Sequence, residues 1–261
     1  MPQLRYRYAT YPLPSAVTLS APPANFSSLI QKYVSLRLQA LLTSPHAFGS
    51  SHAIESAFTT AEWEKRVWRM GFTALVCVAE PVCDGDGYEQ RTTSDGLGDL
   101  EGEWVGTATL LGPISKASYE LPPEAGGPEI GSDEQETRWH MTGLYIAPDH
   151  RGSGLAKMII GFAAAFAKDH TLSLYRSLPS AGRPKNIRLR LMTRPDNDVM
   201  ISLCSALGFV NAGRANIVEI FKANGEEALM HLRIAELQIS QEMMTMRLGV
   251  VMERLDSLDS E

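Results

Sequence analysis

The sequence predicts a mixed α/β domain with one strand-helix-strand crossover in its middle, on three observations. Apolar runs of strand length recur, at "FTALVCVAE", "EWVGTATLLGP" and "NIRLRLMTRP". Between them lie stretches with apolar residues at helical spacing, such as Phe26, Leu29, Ile30, Tyr33, Leu38 and Leu41. In the middle, "GLYIAPDHRGSGLAKMIIGFAAAFAKDH", residues 143–170, joins an apolar strand to an amphipathic helix through a turn carrying Arg151, Gly152 and Gly154.

Taken in order, "LRYRYATYP" alternates as a first strand, and prolines 12, 14, 22 and 23 then bar regular structure up to Asn25, the expected cap of a helix that Pro45 stops. A second helix is expected at "TAEWEKRVWRM", capped by Thr60. "FTALVCVAE" reads as a buried strand. Residues 82–102 are acidic and glycine-rich and offer no core face, so they read as a flexible insert; residues 113–135 read as a second one. A strand at 139–147 leads into the turn and its helix. "NIRLRLMTRP" puts Ile187, Leu189 and Leu191 on one face and Arg188, Arg190 and Met192 on the other. A short helix over 198–207 ends at Gly208, and Asn224-Gly225 reads as a hairpin turn between two strands. Residues 236–261 are set apart from the domain at 1–235: Met244, Leu248, Val251, Leu255 and Leu258 follow spacings of four and three, the seam of a C-terminal helical extension. Such a seam suits a helix docked on its own domain, or a homodimer contact.

Composition narrows the function. The chain has 261 residues, 44% of them hydrophobic, enough for a full core. A formal charge of −6 gives no long-range attraction to nucleic acid or to an anionic membrane. Cys77, Cys83 and Cys204 fit no metal spacing and no C-x-x-C pair, which points to a reducing compartment and no metal. With no signal-peptide pattern and no apolar run long enough to span a bilayer, a soluble cytoplasmic protein is expected.

The central turn asks for an anion. A strand that delivers its chain into "HRGSGLAK" and then a helix presents unpaired amides at the helix N-terminus, where the macrodipole also favours negative charge. Gly152 and Gly154 permit close approach. Neither the Walker pattern nor the G-x-G-x-x-G dinucleotide fingerprint is present, which disfavours an ATP- or dinucleotide-binding enzyme.

"YIAPDHRGSGLA" resembles the acetyl-CoA signature of the GCN5-related N-acetyltransferases (GNAT), an arginine or glutamine, two residues, glycine, one residue, then glycine or alanine; Arg151, Gly154 and Ala156 fill it. "NDVMISLCSALGF" is similar to the family's second motif, and the helix running into "SPHAFGSS" is similar to its first helix and acceptor-side loop, so the resemblance covers roughly residues 4 to 235. It implies the GNAT fold: a mixed, mostly antiparallel, splayed central sheet flanked by helices, here with an extra C-terminal helix. It further implies that the amides of Arg151, Gly152, Ser153, Gly154, Leu155 and Ala156 hold the pyrophosphate of acetyl-CoA, a cosubstrate. The backbone of Leu144, Tyr145 and Ile146 would pair with the pantetheine arm in the splay between this strand and the next, with Asn197 on the far wall.

The implied reaction is direct attack of a primary amine on the thioester in a ternary complex. An alkylammonium, with a pKa of about 10, must first lose a proton. His140 is the candidate base and Glu136 the alternative; the Leu144 amide is the candidate oxyanion donor. Where many members have a tyrosine as general acid, this chain has Cys204, which leaves the acid unassigned, with Tyr145 and Tyr175 as other routes. The acceptor is a small-molecule or peptide amine, shaped by the first two helices, the loop "SPHAFGSSHAIES" and "KANGEEALM", with the acidic inserts suited to a cationic one. The missing tyrosine motivates the alternative of an acyl-CoA sensor or scaffold with little turnover.

Overall fold

The computed structural model describes residues 5–82, 100–177, 179 and 182–258. Its elements are β1 (Tyr6–Pro12), α1 (Phe26–Thr43), α2 (His52–Glu55), α3 (Thr60–Val67), β2 (Phe72–Pro81), β3 (Glu103–Leu111), α4 (Lys116–Tyr119), β4 (Glu136–Ile146), α5 (Leu155–Leu174), β5 (Asn186–Thr193), α6 (Asp198–Ala206), β6 (Val210–Ala215), α7 (Ile217–Ala223), α8 (Glu227–Leu237), α9 (Gln241–Thr245) and β7 (Gly249–Ser257). Among the described residues the strands form one sheet in the order β1-β2-β3-β4-β5-β7-β6. Every neighbouring pair is antiparallel except β4 with β5, which α5 connects. The expected mixed, mostly antiparallel sheet flanked by helices is therefore present.

Strand alternation divides the core between the two faces. In β2, Leu75, Cys77 and Ala79 join the core under α5, whereas Ala74, Val76 and Val78 join Phe26, Ile30 and Tyr33 of α1 and Trp63 and Val67 of α3. α5 buries Leu155, Ile159, Ile160, Ala163, Ala167 and Thr171, one face of a 3.6-residue period. α3 begins in a reciprocal cap: the Thr59 amide donates to Glu62 Oε2 at 2.7 Å and the Glu62 amide to Thr59 Oγ1 at 3.3 Å. The cap is thus Thr59 rather than Thr60, because only Thr59 stands three residues before a glutamate that can close the box. No helix among the described residues is long and apolar enough to cross a membrane.

Three expectations need correction. The predicted C-terminal helix is largely a strand: β7 lies inside the sheet, paired antiparallel with β5 on one side and β6 on the other. A strand covered on both faces reads as a continuous apolar run, and Val251 and Leu255 of β7 also happen to stand four apart. Exposure decides between the readings. Leu248 and Leu255, on the supposed seam, are each 50% exposed, whereas Val250 and Met252, off it, are each 2% exposed. The seam that offered a homodimer contact does not form.

The "NG" hairpin is a helix-to-helix turn. Asn216 and Glu219 form a capping box that starts α7, and Gly225, at φ +65°, takes the left-handed position after it. The segment 113–135, expected as a flexible insert, folds against the sheet, burying Tyr119, Ala125 and Ile130. It crosses β6 so closely that a Cβ on Gly213 would meet the Ala125 carbonyl, which accounts for the glycine at that point of a strand the periodicity did not signal. Most of the other insert, residues 83–99 of the predicted 82–102, lies outside the described residues, as does Cys83.

Candidate active site

The parallel pair opens as it approaches the central turn. β4 and β5 are in register from Glu136 opposite Asn186 to Met141 opposite Leu191, and no pairing follows. On its other edge β4 breaks register with β3 between Thr142 and Tyr145, opposite Thr109 and Thr107, and Gly143 takes φ +66°. Such a bulge withdraws backbone groups from the ladder and bends the strand. β4 then ends at Ile146, a short turn over Pro148–His150 follows, and Gly152 (φ +80°) and Gly154 (φ +77°) lead into α5. The first bond of that helix runs from the Met158 amide to the Gly154 carbonyl, so the amides of Leu155, Ala156 and Lys157 have no acceptor within the helix. Nothing lies within 4 Å of a Cβ built on either glycine, so the space above the turn is open.

Side chains hold this turn in place. Arg151 donates from Nε to the Ile146 carbonyl at 3.0 Å and from Nη2 to Ser44 Oγ at 3.0 Å, tying the end of β4 to the end of α1. His150 is buried against Tyr6 and bonded to the Tyr8 hydroxyl at 3.1 Å. Arg151 therefore positions the loop as well as charging it.

Where the strands part, a cavity of about 850 Å³ opens, walled by Gly143 and Leu144 of the bulge, by Thr193 at the end of β5 and Asn197 beyond it, and by α1, α3, α7 and α8. Asn197 caps α6, accepting from the Met200 amide at 3.2 Å and donating to Thr193 Oγ1 at 3.2 Å. Tyr145 points away into the core, its hydroxyl 2.9 Å from that of Thr43.

Neither candidate base reaches the cavity. His140 is fully buried, its Nε2 bonded to Asn224 Oδ1 at 2.9 Å and its Nδ1 facing Arg190 Nε at 3.5 Å. The amide oxygen fixes the proton on Nε2, and the guanidinium occupies the remaining lone pair. Burial, reinforced by the charge of Arg190, depresses its pKa to about 3. Glu136 is committed to Arg188 through two bonds of 3.0 Å and lies 3.1 Å from Arg138. Glu136, Arg138 and His140 face a polar layer, and the bulge of β4 comes only after Met141. Cys204 is also buried, and burial lifts its thiol to about 11.

The cavity instead gathers groups that the sequence reading passed over: Arg37, Arg66, Arg69 and Glu226, with Glu55 buried behind them. Arg37 donates to Glu55 through two bonds, 2.9 and 2.7 Å. Arg66 lies 2.8 Å from Glu226 and 3.5 Å from Glu55. Burial opposes the charges of this pair, yet Glu55 raises the pKa of Arg37, and Arg37 with Arg66 hold the Glu55 carboxyl below its ordinary range. One signal was available. Arg37 stands four residues from both Tyr33 and Leu41, inside the apolar stripe of α1, where a charge requires a buried partner.

A model of the Acetyltransferase (GNAT) family matches residues 88–209. No curated protein matches the sequence. Similar solved structures include Arabidopsis thaliana NAA60 in complex with acetyl-CoA, 11% identical, covering 97% of this chain and 100% of that one at a TM-score of 0.45. A GNAT-family acetyltransferase from Streptococcus pneumoniae is 14% identical, covering 97% and 99% at 0.45. The ribosomal-protein-alanine N-acetyltransferase of Brucella melitensis is 15% identical, covering 88% and 96% at 0.42. At these scores the likenesses carry no weight for activity. The family match spans the crossover, its glycine turn and the second motif, so residues 88–209 of the chain are similar to the GNAT acetyltransferase family.

Proposed function

We propose that the protein is an acetyl-CoA-dependent N-acetyltransferase that acts on a primary amine by direct transfer in a ternary complex. The observation that carries this is the parting of β4 from β5 after Met141 and Leu191, beside a turn whose helix amides and two left-handed glycines face open space. Those residues fit the cosubstrate. The amides at the start of α5 suit a pyrophosphate, and the unpaired edge of β4 from Leu144 to Ile146 suits an extended amide-bearing arm.

Acetyl-CoA supplies an activated acyl group. The protein's own part is to place an amine at the bulge and to take its proton. Glu226, a carboxylate in the cavity wall, replaces His140 and Glu136 as the proton acceptor. Glu226 takes the ammonium proton, the freed nitrogen forms its bond to the acetyl carbon while the Leu144 backbone amide meets the oxyanion, the bond from that carbon to sulfur breaks, and the nitrogen's second proton passes by Glu226 to solvent as the first did. A thiol of pKa about 8.5 leaves as thiolate without a dedicated acid. The burial of Cys204 is therefore compatible with turnover.

The test is calorimetric titration with acetyl-CoA, followed by thiol release with a panel of amines and N-terminal peptides. Binding with amine-dependent release supports the transferase. Glu226→Gln is expected to lower kcat while leaving acetyl-CoA affinity unchanged. Binding without release from any amine turns the reading to an acyl-CoA sensor.

A further inference from the structure

Given the acetyl-transfer reading above, the cavity wall decides what an acceptor must carry. Three guanidinium groups meet two carboxylates there: Arg37 and Arg66 share Glu55 and Glu226. Arg69 has no carboxylate within ion-pair distance among the described residues; it donates to the Gly225 carbonyl at 3.2 Å and lies 5.0 Å from the Phe72 ring centre. Burial and the like charge of Arg66 lower its pKa, and Glu226 offsets this only in part. A partly buried cation without a counter-ion gains from an arriving anion, in a planar fork that matches a carboxylate.

The cluster is next to the candidate reaction point. A Cβ on Gly143 would lie 3.4 Å from Arg37 Nη1, so the bulge and the arginines are one side chain apart. Glu226, 2.8 Å from Arg66 and 3.9 Å from Arg37, bridges these two arginines in the same wall and offers a partner for an amine. A purely cationic acceptor would face three guanidinium groups at this wall. We propose that the acceptor is a small zwitterionic amine, whose carboxylate pairs with Arg69 and whose nitrogen faces Glu226 beside the Gly143 bulge.

The experiment measures binding by calorimetry and thiol release from acetyl-CoA, using the standard amino acids, each against its primary amide, and aliphatic diamines. At least one amino acid is expected to exceed its amide by about tenfold or more in kcat/KM. Arg69→Gln should erase that preference and Arg69→Lys keep part of it, while acetyl-CoA affinity stays unchanged in both. Carboxylate-selective binding that is lost in Arg69→Gln but yields no thiol release sustains the anion site and removes the transfer reading. Amides or diamines accepted as well as amino acids, or a preference that survives Arg69→Gln, overturn the zwitterionic acceptor and leave acetyl transfer standing. Absence of carboxylate preference across the panel, in binding and in turnover alike, also overturns it.

Discussion

Two arginine clusters in this molecule have opposite designs. On β4 and β5, Arg138, Arg188 and Arg190 face Asp133, Glu136 and Glu253, three charges against three. Arg188 bridges Glu136 and Glu253 at 3.0 and 3.1 Å, and Arg138 reaches Asp133 at 2.6 Å. Arg190 donates to the Tyr119 carbonyl at 2.7 Å with its guanidinium 3.8 Å from that ring's centre. The segment around α4 packs over this layer, with Arg190 and Glu253 bordering a second cavity beneath it. In the cavity, Arg37, Arg66 and Arg69 meet only Glu55 and Glu226, three against two, and the surplus charge borders open space. A layer with balanced charges fixes the strand pair in place, whereas an unbalanced wall is disposed to bind.

Breaking the balanced layer should have the largest effect. Arg188→Met leaves Glu136 and Glu253 buried without their shared partner, and urea unfolding should show a loss of about 3–5 kcal/mol. Glu55→Gln should cost about as much at neutral pH, since it strips Arg37 of its main partner. This second change also has a pH signature. The folded Glu55 carboxyl titrates below its ordinary 4.5, so its stabilisation is complete above that value and is lost as pH falls through the folded pKa. His140 acts in the same direction: with its pKa moved from 6.5 to about 3, the unfolded chain binds the proton first, and stability falls as pH drops below 6.5 toward 3. Acid titration of Glu55→Gln should therefore keep the His140 slope and lose the steeper part below about 4.5.

Gly154→Val is a smaller perturbation of a different kind. A β-branched side chain at φ +77° costs about 1–3 kcal/mol of backbone strain, and acetyl-CoA affinity should fall by at least that much because the strain falls where the amides must align. Smallest of all is Arg69→Met. Removing a charge that lacks a counter-ion should change unfolding free energy by less than about 0.5 kcal/mol, against the several kcal/mol for Arg188→Met. A large loss in Arg69→Met would show that the cavity wall is as tightly paired as the sheet layer.

The same contrast explains what could be read from the sequence. The crossover was legible because strand, glycine turn and amphipathic helix are local patterns, and Gly152 and Gly154 take the left-handed angles that such a turn needs. The strand 186–193 was legible from its period of two. β7 was not: its position between β5 and β6 is a long-range pairing, and a doubly covered strand loses the alternation that would mark it. "IVEIFKANG" was misread as strand and hairpin because its β-branched residues and Asn-Gly outweighed the Asn216–Glu219 box. The placement of the candidate bases away from the cavity was hidden for a related reason. His140 is two residues before the point where β4 escapes its neighbours, and only the register shows which side of that point a residue occupies. Arg66 comes from α3, Arg69 from the turn after it and Glu226 from the α7–α8 turn, and they meet only in the folded chain.

The most direct measurement is calorimetric titration of the full chain with acetyl-CoA, with Gly154→Val alongside. Saturable one-to-one binding by the native protein, weakened in the variant and followed by amine-dependent thiol release, is the predicted result. A folded native protein that takes up no acetyl-CoA would contradict the account at its centre, the anion-binding turn at Arg151 to Ala156.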